Sequence, residues 1–119
     1  MPARPVGGSD ILTNYSPASE TLTGATYNGD PVYRTHYSSA TATNGATVVA
    51  ASCKKIVAAG GEVTTSFDGH INGFPIGGTS AANIYREDDA GATQYYIKLV
   101  VTGTYVNQPI EFWVDYTKN

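Results

Sequence analysis

The sequence has 119 residues and a formal net charge of −3, with 41% hydrophobic and only 14% charged residues. A chain of this length supports one domain with a modest hydrophobic core. Binding to nucleic acid is disfavoured, because phosphate contacts need clustered positive charge and here seven Lys and Arg face ten Asp and Glu. No stretch approaches the roughly 20 apolar residues of a membrane-spanning helix, and no signal-peptide pattern follows Met1. We therefore expect a soluble domain that folds in the cytoplasm and does not insert into a membrane.

The composition favours β-structure. Thr, Val and Tyr, which suit a pleated and half-buried strand surface, are abundant, whereas the long charged residues that favour helix are scarce. The sequence also contains 13 Gly and nine Tyr, which is typical of strands joined by tight turns. We therefore expect a single all-β domain of antiparallel strands.

The N-terminal residues 1–18 are predicted to form an extended arm, and residues 19–119 to form the domain. The arm is rich in Pro and Gly, and its apolar side chains are mainly those of Ile11, Leu12 and Tyr15. Because so few apolar side chains cannot form a core, we expect the arm to become ordered by docking on a partner.

The first clear structural signal is a β-hairpin with strands at Glu20–Tyr27 and Asp30–Tyr37. The dipeptide Asn28-Gly29 between them favours a tight hairpin turn, because both residues tolerate positive φ. Counting outward from the turn predicts three opposed pairs: Tyr27 with Asp30, Ala25 with Val32, and Gly24 with Tyr33. Pro31 lacks an amide donor, so we expect this hairpin at the edge of a sheet, or leaving the ladder early.

The middle of the chain gives weaker signals. A low-complexity stretch predicts one short strand at Thr47–Ala51; the alternative is a helix over Ala46–Ala59, which its β-branched residues disfavour. Two strand-like runs, Lys54–Ala59 and Glu62–Phe67, flank Gly60-Gly61 and predict a second hairpin. The rest of this region is predicted as an irregular loop at Asp68–Gly78 and a short strand at Ala82–Glu87 that ends at the turn Asp88-Asp89-Ala90-Gly91.

The last two strands are the clearest, because apolar side chains recur at every second position. Four side chains of each strand are predicted to face the core: Tyr95, Ile97, Leu99 and Val101 in the first, and Ile110, Phe112, Val114 and Tyr116 in the second. The opposite faces carry Tyr96, Lys98, Val100 and Thr102, and Glu111, Trp113, Asp115 and Thr117. One buried face per strand and about seven or eight short strands predict an antiparallel β-sandwich, with a small barrel as the alternative.

Two segments carry a family resemblance. The first runs from Glu20 to Arg34 and contains Gly24, the turn Asn28-Gly29 and then Asp30-Pro31-Val32-Tyr33-Arg34. The second is Phe112–Lys118, which ends in an acidic residue followed by Tyr-Thr-Lys, and Asn83-Ile84-Tyr85 and Tyr95-Tyr96-Ile97 lie between the two. In this order the segments resemble a module common in bacteriophage tail-fibre and minor tail proteins, over residues Tyr15 to Asn119.

The resemblance implies a phage virion protein with a β-sandwich fold, made in the cytoplasm of the bacterial host. Such modules are often homotrimeric and near the receptor-binding tip. The implied partners are therefore further copies of the chain, other virion proteins held by the N-terminal arm, and a host surface glycan. The family module usually ends a long protein, whereas here only a short arm precedes it. The chain is thus expected to be either a separate small virion protein or an excised module.

Cys53, His36 and His70 are the candidates for a nucleophile and a base. Cys53 is the only cysteine, so it cannot form a disulfide within the chain, and we expect it to be a small half-buried apolar residue. No Gly-x-Ser-x-Gly elbow or similar signature accompanies the three residues. We therefore expect no enzymatic activity and no cofactor.

Asp68–Gly73 carries potential ligand side chains at alternate positions, faintly like a calcium-binding loop. It lacks the third ligand and the closing Glu of such a loop. Asp88-Asp89 is a second acidic candidate, but adjacent acids in a turn are usually solvated. We therefore expect no metal site.

Trp113, Tyr96 and Tyr105 are the candidate interface or ligand residues. Trp113 and Tyr96 alternate with the core-facing residues of their strands, so they are predicted to form a large aromatic pair on the outer face. Exposed aromatic side chains of this size favour a subunit interface or a surface that stacks on sugars. The alternative is that another segment of the chain covers them.

The sequence thus leads to one main hypothesis and two alternatives. The main hypothesis is a non-enzymatic virion structural protein, a tail-fibre or spike component that docks by its arm and presents its β-domain to the host receptor. The alternatives are a carbohydrate-binding module and a capsid-decorating or collar protein.

Overall fold

The structure is a computed structural model that describes residues 20–50, 52–88 and 95–119. The described residues form eight strands and a short 3-10 helix: β1 (Glu20–Tyr27), β2 (Asp30–Ser39), β3 (Thr47–Val49), β4 (Cys53–Thr65), β5 (His70–Phe74), β6 (Ala82–Asp88), β7 (Tyr95–Val101), the helix (Gly103–Tyr105) and β8 (Ile110–Lys118). They build a five-stranded antiparallel sheet in the order β1-β2-β8-β4-β5 and a three-stranded one in the order β3-β7-β6. The two sheets pack together around one core, so the predicted all-β sandwich is confirmed.

Part of the sequence lies outside the described residues. The predicted arm with Ile11, Leu12 and Tyr15 is in that part, and so is Asp89-Ala90-Gly91 of the predicted turn. Within the described ranges, no helix is long and apolar enough to cross a membrane.

The core lies between the two sheets and is centred on β7 and β8. Seven of the eight side chains predicted to face it have at most 2% of their surface exposed: Ile97, Leu99, Val101, Ile110, Phe112, Val114 and Tyr116. The eighth, Tyr95, begins β7 and is half-buried. Phe112 stacks on Phe74 of β5 with the ring centroids 4.2 Å apart. The alternation therefore predicted the buried faces of both strands correctly.

The first hairpin turns as predicted. Asn28 and Gly29 both have positive φ, 49° and 84°, and the two residues that flank them oppose each other. The hairpin lies at the edge of the five-stranded sheet, which confirms its predicted position. β2 pairs with β8 only from Tyr33 onward, so the missing amide donor of Pro31 disrupts no bond on that side.

Beyond the turn, the register of this hairpin differs from the prediction. The structure contradicts two predicted pairs, Ala25 with Val32 and Gly24 with Tyr33. Leu22 opposes Tyr33 instead, because β1 contains a bulge that shifts the register by two residues. At the bulge the Thr23 hydroxyl donates a hydrogen bond to the Val32 carbonyl at 2.9 Å, and Gly24 adopts a φ of 86°.

The predicted second hairpin is wrong, because Gly60-Gly61 lies inside β4, a continuous strand of 13 residues. β4 pairs with β8 along most of its length, and the two glycines allow a close approach between them. A Cβ atom on Gly60 would lie 2.8 Å from Cζ2 of Trp113, and one on Gly61 would collide with the backbone of Phe112. The glycines therefore make room for neighbouring groups and do not form a turn.

The other predictions for the middle of the chain are confirmed in part. β3 confirms a short strand at its position, and the alternative helix is wrong. β6 confirms the strand predicted at Ala82–Glu87. The loop predicted at Asp68–Gly78 is wrong in its first half, where β5 pairs with the end of β4.

Candidate functional site

Trp113 lies on the outer face of the five-stranded sheet, in the middle of β8. Its ring passes close to Gly60 of β4, where no side chain obstructs it. The Arg34 guanidinium lies over the ring, with Cζ 4.2 Å from the ring centroid. Arg34 Nε and Nη2 donate hydrogen bonds of 2.7 and 2.9 Å to the two carboxylate oxygens of Asp115. These bonds are the main reason that the pKa of Arg34 is raised.

These contacts leave Trp113 half-buried. The Arg34 side chain and the adjacent strand provide this cover. Because the guanidinium occupies a face of the indole, a sugar that stacked on that face would have to displace it. Trp113 therefore offers a partner less surface than its position on the outer face suggests.

A second aromatic surface lies on the outer face of the three-stranded sheet. We call it the tyrosine patch, and it consists of Tyr85, Glu87, Tyr96 and Lys98. Tyr85 opposes Lys98, and Glu87 opposes Tyr96, across the β6–β7 ladder. Lys98 Nζ lies 5.6 Å from the Tyr96 ring centroid and donates a hydrogen bond of 2.7 Å to the Thr47 hydroxyl. Tyr85 is 38% exposed, so the patch combines an open ring with a positive and a negative charge.

The predicted pair of outer-face aromatics does not come together. β7 and β8 belong to different sheets, so Tyr96 and Trp113 lie on opposite outer faces of the sandwich. Tyr105 lies in a third place, at the end of the 3-10 helix, where it is half-buried and packs against the core. The structure thus places the three candidate residues on three separate surfaces.

Tyr85 is not among the residues predicted from the sequence. The sequence does contain a signal for its position. Ala82 and Ile84, two residues apart, face the core, so the alternation predicts that Tyr85 points outward. The predicted strand is short and has only these two apolar residues on its inner side, so its alternation is weak.

The two segments that carry the family resemblance lie side by side, because β2 pairs with β8. The ion pair described above joins them on the outer face. On the inner face, the Tyr116 hydroxyl donates a hydrogen bond to Glu20 and lies 2.9 Å from the Thr35 hydroxyl. Lys118 Nζ lies 2.6 Å from Glu20 Oε1 and completes this cluster. Burial, followed by the hydrogen bond to Glu20, raises the pKa of Tyr116 well above its usual value, so its proton is retained.

The three candidates for a nucleophile and a base lie apart. Cys53 is completely buried, and burial raises the pKa of its thiol to about 11, which disfavours the reactive thiolate. His36 lies on the outer face opposite Trp113, and partial burial lowers its pKa. His70 lies at the other end of β4 from Cys53, with Nδ1 3.1 Å from a carboxylate oxygen of Asp68.

The polar groups of the calcium-like candidate loop bind the loop itself and the end of β4. Asp68 Oδ1 accepts hydrogen bonds from the Thr65 hydroxyl at 2.5 Å and from the His70 amide at 3.0 Å. These bonds hold the pKa of Asp68 below its usual range. The Asn72 side-chain amide donates to the Val63 carbonyl. Among the residues that the structure describes, no three His, Cys, Asp or Glu are placed to hold a metal ion.

Comparison with protein-family models, with curated proteins and with solved structures finds no match for this chain. Its function therefore has to be inferred from the fold, from the surfaces described above and from the family resemblance.

Proposed function

We propose that the chain is a non-enzymatic structural protein of a bacteriophage virion, a tail-fibre or spike component held by its N-terminal arm. The observation that carries this proposal is the contact between the two segments of the resemblance. Arg34 binds Asp115 on the outer face, and Glu20 binds Tyr116 and Lys118 on the inner face. The two segments that carry the resemblance therefore bind each other through their side chains, which supports a common structural module.

The placement of the reactive groups supports a non-enzymatic role. A nucleophile needs a base within hydrogen-bond reach. Cys53 is buried with a protonated thiol, and His36 and His70 lie on other parts of the fold.

Locating the chain in phage particles tests the proposal. Particles of the phage that encodes the chain are purified, analysed by mass spectrometry, and labelled with antibodies against the domain for electron microscopy. Label on the tail would support a tail-fibre or spike component. Label on the head or neck would favour a capsid-decorating or collar protein instead. Particles that lack the chain would contradict a virion role.

A second candidate function, binding to a host surface glycan, is supported by the tyrosine patch. An open aromatic ring can stack on the apolar face of a sugar, while neighbouring charged groups form hydrogen bonds with its hydroxyls. On a glycan array, we expect binding by the wild type and its loss in Tyr85→Ala. Val106→Ala, which shortens an apolar side chain of the same exposure outside the patch and outside the edge strands, should retain binding. Binding that survives Tyr85→Ala would contradict this role of the patch.

We also propose that the chain forms a homotrimer through the two edges of the five-stranded sheet. Leu22 on β1, at one edge, is 63% exposed. At the other edge, Phe67 lies in the turn before β5 and is 70% exposed. Ile71 lies in β5 itself and is 66% exposed. A cyclic ring joins two unlike surfaces of neighbouring copies, and these apolar edges are two such surfaces. The resemblance supplies the number three.

A further inference from the structure

The sequence contains three Asn-Gly pairs: Asn28-Gly29, Asn44-Gly45 and Asn72-Gly73. In such a pair the backbone nitrogen of the glycine can attack the side-chain carbonyl carbon of the asparagine, because glycine has no side chain that obstructs the approach. The reacting groups are the same in all three pairs, so the surrounding structure decides which pair reacts.

Asn44-Gly45 is held by hydrogen bonds at both reacting groups. Asn44 Oδ1 accepts a hydrogen bond of 3.1 Å from the Val101 amide. The Gly45 amide, which contains the attacking nitrogen, donates one of 2.7 Å to the Leu99 carbonyl. Both bonds have to break before this pair can react.

Asn72-Gly73 lies inside β5. The Asn72 side-chain amide donates a hydrogen bond of 3.3 Å to the Val63 carbonyl. Gly73 opposes Glu62 in the ladder between β4 and β5. The glycine nitrogen therefore cannot turn toward the asparagine side chain unless this ladder opens.

Asn28-Gly29 differs from both of these pairs. Its two residues are exposed, and neither the Asn28 side chain nor the Gly29 amide has a hydrogen-bond partner among the described residues. A Cβ atom on Gly29 would meet no other atom within 4 Å, so the approach is open. The pair forms the turn of a hairpin at the edge of a sheet, where rotation of the backbone disrupts only the adjoining ends of β1 and β2.

We propose that Asn28 is a site of spontaneous deamidation. The Gly29 nitrogen forms a bond to Asn28 Cγ and gives up its proton, the bond from Cγ to Nδ2 breaks, and ammonia leaves while a five-membered succinimide ring remains. Water then opens the ring at one of its two carbonyl groups. One opening gives aspartate, and the other gives isoaspartate, in which the main chain runs through Cγ. The reaction consumes only water, and the site does not depend on a role in the virion.

The two products act differently on the hairpin. Aspartate adds a negative charge and leaves the main chain unchanged. Isoaspartate adds one carbon atom to the main chain of a two-residue turn, so Tyr27 and Asp30 can no longer oppose each other across it as they do now. We therefore expect isoaspartate to weaken the edge hairpin and to lower the melting temperature.

Peptide mapping by mass spectrometry tests the site. The purified chain is incubated in mildly alkaline buffer, both folded and unfolded in urea, and the amide loss at each of the three pairs is followed. In urea the three pairs should react at similar rates. In the folded protein Asn28 should react at least about 10-fold faster than Asn44 or Asn72, because each of these has to break a hydrogen bond first.

Equal rates at the three pairs of the folded protein would overturn the proposal. So would a folded protein in which Asn28 stays unmodified although it reacts in urea, because the turn would then protect it.

Asn28→Asp is the matched control, because it carries the aspartate product without a change in the main chain, and aspartate suits this turn position. It should melt close to the wild type. The isoaspartate fraction of the incubated wild type, separated by chromatography, should melt below both. An isoaspartate fraction that melts like the wild type would overturn the proposed effect on the hairpin.

Discussion

Cys53 begins β4 with its side chain completely buried. The Arg86 guanidinium lies nearby and donates hydrogen bonds to the carbonyls of Cys53 and Lys54 at 3.4 and 2.8 Å. Burial raises the pKa of the thiol to about 11, and the positive charge of Arg86 opposes this only in part. At neutral pH the thiol therefore acts as a small apolar group of the core.

We expect alkaline pH to destabilise the protein through this thiol. The folded protein retains the proton up to about pH 11, whereas a thiol in the unfolded chain loses it near pH 9. The stabilisation is therefore complete below pH 9 and is lost as the pH rises from 9 to 11. Cys53→Ala should reduce the fall in unfolding free energy over this range by about 2 kcal/mol.

Urea unfolding of both proteins at several pH values measures this difference. Tyr116, whose pKa is also raised, adds a further loss at high pH. Cys53 is only the smallest of the causes that raise the Tyr116 pKa, so this loss is nearly the same in the two proteins and the difference between them reports mainly on Cys53. Equal falls in the wild type and in Cys53→Ala would contradict a raised thiol pKa.

At the scale of the elements, β8 is the central strand of the five-stranded sheet, with β2 and β4 on its two sides. Phe112 contacts Phe74 and Tyr37, with ring centroids 4.2 and 5.3 Å away. We expect Phe112→Ala to lower the unfolding free energy by about 3–5 kcal/mol, and Trp113→Ala to cost clearly less in monomeric protein. Thermal melts of both variants check this. A larger loss of unfolding free energy for Trp113→Ala would show that Trp113, and not Phe112, is on the buried face of β8.

β4 and β8 approach each other closely at Gly60, which opposes Trp113. Gly60→Ala places a methyl group 2.8 Å from Trp113 Cζ2, so the indole has to shift and its contact with Arg34 is disturbed. We expect a loss of about 1–3 kcal/mol in urea unfolding, with a change in indole fluorescence.

Gly73→Ala on the edge strand β5 is the matched control. A Cβ atom at Gly73 meets no other atom within 4 Å, so this substitution should be neutral or slightly stabilising. Similar effects of the two substitutions would show that β4 and β8 are not in close contact at Gly60.

Sequence patterns predicted the positions of the strands better than they predicted which strands are neighbours in a sheet. The alternation in β7 and β8 is local, so it predicted their buried faces and the outward direction of Trp113 and Tyr96. Whether two strands are neighbours depends on the whole topology, and this is why the predicted aromatic pair is divided between two sheets. Gly60-Gly61 suits a turn or a close approach equally well. The choice between them depends on Trp113, which lies far along the chain.

The two sheets of the sandwich differ in width. The five-stranded sheet extends beyond the three-stranded one, and each residue of β1 is exposed or half-buried. Leu22 on β1 and Ile71 on β5 are thus open at opposite edges. Only 14% of the residues are charged, and interface cores are depleted in charge. These features favour association through the edges.

We expect light scattering on the purified chain to give a mass about three times 12.5 kDa. Leu22→Lys and Ile71→Lys should each give smaller species, because either substitution places a buried, unpaired charge in every interface of the ring. Val106→Lys changes an exposed apolar residue outside β1 and β5, so it should leave the mass unchanged.

A mixture of the Leu22→Lys and Ile71→Lys proteins tests how the copies join. In a ring of unlike edges, the intact β5 edge of the first protein still fits the intact β1 edge of the second, so one interface forms and a heterodimer results. An interface that pairs like edges would give no such heterodimer, because each protein would then join only to itself. A wild-type chain that remains monomeric at high micromolar concentration would contradict the trimer for the isolated protein.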